Sequence, residues 1–199
     1  MAHVNLEETS KPTQDLYNRA FAAFERGNLD YSIDLFTSVL KQEPRLLSAR
    51  RYLRAAELKK RKGSSTGAAA AQVTLLLSLP AYIKATLLAS SKNPVKGVEA
   101  AEVLLKKDPL HPAFAQVFAR AAHAADMPEA AIQTLEVVLE HHPNDIGVVK
   151  RLGSLLAEVG ETRKARQAYE RLAELNPRDP DVQKLLKDSI AIDSMAQDG

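Results

Sequence analysis

Three stretches in the C-terminal half decide the fold: Glu102-Val103-Leu104-Leu105-Lys106-Lys107-Asp108-Pro109, Glu136-Val137-Val138-Leu139-Glu140-His141-His142-Pro143 and Glu170-Arg171-Leu172-Ala173-Glu174-Leu175-Asn176-Pro177. Their prolines stand 34 residues apart, twice over. A fourth stretch, Phe36-Thr37-Ser38-Val39-Leu40-Lys41-Gln42-Glu43 before Pro44, has the same pattern. Apolar or small residues precede each proline in steps of four and three: Ala131, Leu135 and Val138; Ala165, Tyr169 and Leu172; Ser32, Phe36 and Val39; Gly97, Ala101 and Leu104. Such steps place side chains on one stripe of an α-helix. Proline then ends the helix, because it lacks an amide hydrogen and disfavours helical geometry in the residue before it.

A second helix precedes each of these. In the last unit it runs from about Ile146 to Val159, with Leu152, Gly153, Leu155 and Leu156 inward, and stops at Gly160. Gly27-Asn28 and Asp126-Met127-Pro128 mark the corresponding breaks in other units. Small residues recur at one offset of this helix, at Ala20, Ala85, Ala119 and Gly153, where they let two helix axes approach closely.

The composition agrees. The chain has 199 residues, 45% apolar and 26% charged, which suits a folding protein. Lys and Arg number 27 against 25 Asp and Glu, so the net charge of +2 excludes a globally basic nucleic-acid binder. The lack of Cys excludes disulfides, thiolate metal sites and a Cys nucleophile. Aromatics are only 5%, with no Trp, which is thin for a stacking platform. No export signal shows in the first 15 residues, so the cytoplasm is the default location. Gly63 to Ile83 carries no charge, but its Ser, Thr, Gln and Pro content argues against a membrane span. The expectation there is a loop followed by a helix buried between others.

The 34-residue period, the small residues and the spaced prolines resemble the tetratricopeptide-repeat family, from about Thr13 to Pro177 with one further helix. The resemblance implies an all-α, right-handed superhelical solenoid of antiparallel helix hairpins, with about five repeats and a C-terminal capping helix from Asp181 to about Ser194. Residues 1–12 are expected to be a flexible N-terminus, 13–194 one solenoid and 195–199 a tail. The sequence departs from the family at the fourth offset, where Leu16, Arg50, Ala81, Ala115 and Val149 replace the usual Trp or Tyr. The interval from Pro44 to Pro109 is three residues short of two periods and holds Gly63-Ser64-Ser65-Thr66-Gly67. It is read as a second unit, near Leu46–Arg61 and Ala68–Leu79, and a third, near Pro80–Ser91 and Pro94–Lys107. A kinked continuous helix around Pro80 is the alternative.

The resemblance also implies a concave groove for a protein or peptide partner. Its offsets fall on Tyr17, Phe21, Phe24, Arg51, Tyr82, Thr86, Gln116, Arg120, His123, Lys150 and Ser154. Members that grip a C-terminal carboxylate do so with Lys and Asn, at positions held here by Tyr17, Phe21 and Tyr52, so that clamp is not expected. The chain is expected to be a non-enzymatic scaffold or adaptor. The glycines of Gly63–Gly67 lack the Lys-Ser or Lys-Thr of a phosphate loop, and no His-Glu-x-x-His appears. His141 and His142 are adjacent and diverge by ~100° on a helix, which does not favour a shared metal. No catalytic residue, cofactor or metal is assigned.

Charge is uneven. Arg45, Arg50, Arg51, Arg54, Lys59, Lys60, Arg61 and Lys62 with one acid, Glu57, give residues 45–62 a net +7, leaving −5 elsewhere. This segment either leans on acidic neighbours in the same solenoid or attracts an anionic surface, nucleic acid or membrane. Self-assembly into a homo-oligomer through the exposed repeat ends is a third reading.

Overall fold

The computed structural model describes residues 4–62 and 68–197. Every regular element among them is helical. In chain order they are α1 (Lys11–Glu25), α2 (Leu29–Gln42), α3 (Leu47–Lys62), α4 (Ala68–Leu77), α5 (Leu79–Ala89), α6 (Pro94–Lys107), α7 (Pro112–Ala124), α8 (Pro128–His141), α9 (Ile146–Glu158), α10 (Thr162–Leu175) and α11 (Pro180–Gln197). A single 3-10 turn, Leu6–Glu8, precedes α1. The expected loop at Gly63–Gly67 lies outside the described residues, as do residues 1–3 and 198–199 of the expected termini.

The prolines that set the period act alike. Glu43, Asp108, His142 and Asn176 each accept, at their carbonyl, the amide hydrogen of the residue three further on (3.2 to 3.3 Å). Pro44, Pro109, Pro143 and Pro177 follow them directly, where a fixed φ favours such a turn. The tight corners inside hairpins use left-handed backbone instead. Gly27 (φ +76°) joins α1 to α2 and Gly160 (φ +80°) joins α9 to α10. Asp126 (φ 59°) takes the same place between α7 and α8.

Helices α1/α2, α5/α6, α7/α8 and α9/α10 pair as hairpins, and α6 meets α7, α8 meets α9, and α10 meets α11 in series. This is the expected solenoid. The small residues lie where paired axes come closest. Ala20, Ala85 and Ala119 are fully buried, and a Cβ on Gly153 would come 2.9 Å from the Tyr169 ring. Ser32, at a position where Ala is usual, is also buried, and its hydroxyl donates to the Ala20 carbonyl (3.0 Å) across the hairpin. Gly97 of α6 is the tightest point: a Cβ there would sit 2.7 Å from the Ala89 nitrogen of α5. At the far end α11 caps the array, with Val182 and Asp193 buried and Asp193 accepting from Arg166 (2.9 Å) and Thr162 (3.1 Å).

The second unit departs from the expectation. Helices α3 and α4 do not form a hairpin. α3 packs on α2, α1 and α8, while α4 packs on α5. A one-residue break at the buried Ser78 makes α4 and α5 a kinked pair, which is the alternative that the sequence left open. The expectation that α4 is buried between helices is corrected: Val73, Leu76 and Leu77 are 55%, 70% and 76% exposed. Two apolar cores result. One, from Tyr17 to Ala56, is built by α1, α2 and α3; the other, from Ala85 to Val182, by α5 through α11.

The Gly97→Val variant is expected to lose about 2–3 kcal/mol of stability, because the clash is with backbone that cannot rotate aside. Urea denaturation midpoints measure this loss.

Candidate functional site

The basic segment is mostly turned inward. Arg50 and Arg54 of α3 are buried, and both grip Glu102 of α6. Arg54 Nη2 donates to Glu102 Oε2 at 2.6 Å, and Arg50 pairs with the other oxygen. Arg54 also pairs with the buried Glu57 one turn further on. Arg50 Nη2 donates to the Pro44 carbonyl (2.7 Å), and its guanidinium lies 5.1 Å from the centre of the Phe118 ring on α7. The Nε groups of Arg50 and Arg54 have no hydrogen-bond partner among the described residues.

Four more cations are engaged around this centre. Arg45 lies 3.6 Å from Asp126, Arg61 2.9 Å from Asp108, and Lys60 pairs with Asp30. Lys59 sits over the Phe24 ring at 5.2 Å. Arg51 is exposed, and the Lys62 side chain lies outside the described residues. Of the two readings of this segment, the geometry favours a helix leaning on acidic neighbours.

Burial and charge divide the carboxyls. Burial pushes Glu57 up to about 7; Arg54 opposes this, and the negative Glu102 nearby adds to it. Burial also acts to raise Glu102, but the guanidiniums of Arg54 and Arg50 outweigh it and hold that carboxyl below its ordinary value.

The groove residues fall into three groups. Tyr17 and Arg51 line a cleft of about 810 Å³ where α1 and α3 face α8, the end of α9 and the start of α10, with Gln133, Glu136 and Lys164 opposite. Phe21 and Phe24 are half-buried and gather edge-on about Tyr52, at 4.9 and 5.7 Å between ring centres. The others lie on α5, α7 and α9, which neighbour one another. There Tyr82 is 6.3 Å from Phe114, and Thr86 donates to the Tyr82 carbonyl (2.9 Å). His123 pairs with Glu158 at 2.5 Å, and Ser154 donates to the same carboxyl at 3.3 Å. Gln116 lies half-buried beside Gly147, while Arg120 and Lys150 are exposed. Among the described residues no group of three or more His, Asp or Glu is placed to hold a metal.

Sequence reasoning missed Glu102. The available signal was Arg54, which falls at the offset where four other units carry Ala20, Ala85, Ala119 and Gly153.

Residues 122–188, from the end of α7 into α11, match the sequence model of the tetratricopeptide repeat. This segment is built of tetratricopeptide repeats. Two solved structures carry the likeness further. The first tetratricopeptide-repeat domain of Spaghetti (RPAP3), bound to the HSP90 peptide SRMEEVD, is 16% identical; the match covers 61% of this chain and 96% of that one, with a TM-score of 0.53. The first such domain of human RPAP3 is 15% identical over the same shares, with a TM-score of 0.55. At these identities the likeness is one of fold. A search of curated proteins gave no match to the sequence.

Replacing Glu102 by Gln leaves two buried guanidiniums without a full counter-charge and is expected to cost about 3–5 kcal/mol in urea unfolding at pH 7. Because burial outweighs its pairing with Arg54, Glu57 has the opposite sign of pH dependence from Glu102. Its folded value of about 7 exceeds its ordinary 4.5, so its contribution is complete below 4.5 and is lost as pH rises through 7. Glu57→Gln removes that loss, so the variant gains on the parent by on the order of 3 kcal/mol between pH 4.5 and 8. Unfolding curves at the two pH values measure the gain.

Proposed function

We propose that this protein is a non-enzymatic scaffold that holds an extended, carboxylate-rich segment of a partner protein along α5, α7 and α9. One observation carries the reading: these three helices lie side by side and leave Arg120 and Lys150 exposed on a surface where His123 and Ser154 already hold one carboxylate, Glu158. Arginine and lysine in a shallow groove steer acidic segments and fix their register. The tetratricopeptide-repeat domain of Spaghetti (RPAP3) holds an HSP90 peptide. Tyr17, Phe21 and Tyr52 stand in this chain where a carboxylate clamp needs Lys and Asn, so the occupant proposed here is gripped along its length.

The proposed unit is the single solenoid of residues 13–194, working in the cytoplasm, with 1–12 and 195–199 flanking it. Association with nucleic acid through residues 45–62 is the weaker reading, since Arg45, Arg50, Arg54, Lys60 and Arg61 already pair with carboxylates of the same chain.

The test is binding to an array of synthetic peptides graded in carboxylate content. Acidic peptides are expected to bind, and the double reversal Arg120→Glu/Lys150→Glu is expected to weaken them at least tenfold. Retention of the same peptides by the double variant would overturn the assignment.

A further inference from the structure

Helices α4 and α5 carry an apolar surface that stays exposed among the described residues. Val73, Leu76 and Leu77 lie one above another on α4, and Leu79, Ile83 and Leu87 lie at steps of four on α5. Their exposures run from 44% at Leu79 to 76% at Leu77. Scattered exposed apolar residues are ordinary, but six on two successive helices mark a contact surface.

Along the chain the charge beside this surface has one sign as far as Glu99, which shares a cleft with Lys84 and Lys96. From Leu58 to Val98 the chain holds no Asp or Glu, and it holds Lys59, Lys60, Arg61, Lys62, Lys84, Lys92 and Lys96. Lys84, Lys92 and Lys96 are exposed and make no ion pair among the described residues. Lys84 directly follows Ile83 and stands three residues before Leu87, at the border of the α5 stripe.

The occupant follows from these two facts together. A symmetric contact with a second copy would bring these cations against themselves. A peptide seated in the cleft of about 790 Å³ beside α5 would meet Lys84, Leu88 and Lys96 and none of these six apolar side chains, which are not part of its lining. α4 and α5 have 10 and 11 residues, and among the described residues no helix is long and apolar enough to cross a membrane. Two short, exposed apolar helices on a stretch that carries lysines and no Asp or Glu suit the interface of a bilayer. There apolar side chains sink to the acyl boundary and ammonium groups meet anionic headgroups.

We propose that the α4–α5 corner docks the protein on the surface of an anionic membrane, with Val73, Leu76, Leu77, Leu79, Ile83 and Leu87 entering the interface and Lys84, Lys92 and Lys96 pairing with lipid phosphates. This surface shares α5 with the proposed groove and uses other side chains of it: Leu79, Ile83, Lys84 and Leu87 here, Tyr82 and Thr86 there.

The experiment is cosedimentation of the full chain with vesicles of phosphatidylcholine and phosphatidylglycerol (7:3), and with vesicles of phosphatidylcholine alone. Binding is expected to the mixed vesicles, to be at least tenfold weaker to the neutral ones, and to fall as salt rises. The triple variant Leu76→Gln/Leu77→Gln/Leu87→Gln and the variant Lys84→Glu/Lys92→Glu are each expected to lose at least tenfold. All five positions are exposed, and far-UV circular dichroism checks that both variants stay helical. The chain has no Trp, so Leu77→Trp reports insertion directly through a blue-shifted emission that appears only with the mixed vesicles. Three results would overturn the proposal: no binding to the mixed vesicles, binding that the leucine triple variant leaves unchanged, or light scattering that shows dimers which the triple variant dissolves while vesicle binding is absent. Loss of acidic-peptide binding in Arg120→Glu/Lys150→Glu with vesicle binding intact separates this surface from the groove.

Discussion

The arrangement of this protein depends on one half-buried carboxylate. Glu102 accepts from Arg50 and Arg54 at once, and these contacts tie α3, which packs on α2, α1 and α8, to α6. Burying two guanidiniums and two carboxyls carries a large desolvation cost, and such clusters contribute little to net stability compared with apolar side chains of the same shape. Their effect here is positional. An apolar interface tolerates sliding, whereas a carboxylate held by two guanidiniums has one place to go.

Two consequences follow. With α3 drawn away, α4 has no hairpin partner, and its apolar face joins that of α5 at the surface. The line of first helices that forms the groove is also interrupted. Tyr17 and Arg51 end in a cleft with α8 and α10, while Arg120, His123, Lys150 and Ser154 remain together on α7 and α9. One interaction therefore separates the cations of α7 and α9 from the bare apolar face of α4 and α5.

The hairpins were legible because their causes are local. Many helix boundaries are set by a proline turn, by a left-handed corner such as Gly27 or Gly160, or by a helix-opening proline such as Pro94, Pro112 or Pro128. The helix expected from Pro94 to Lys107 has those bounds, and the one expected from Ile146 to Val159 ends one residue earlier. Small residues at a fixed offset told which helices touch, because only they let the axes meet.

The second unit was legible only in part. Arg54, at the offset reserved for small residues, bars α3 from the close approach that a hairpin needs, so the failure of α3 to pair with α4 has a trace in the sequence. The place α3 takes instead does not, because Glu102 lies 48 residues away on a helix whose own pattern is regular. The sequence by itself determined which segments are helices and, outside the second unit, which neighbours form hairpins, since those depend on contacts within a few tens of residues. Only the tertiary structure decided which cations are spent inside the fold and which apolar face is left bare, since both depend on where a long-range ion pair sets one helix against another.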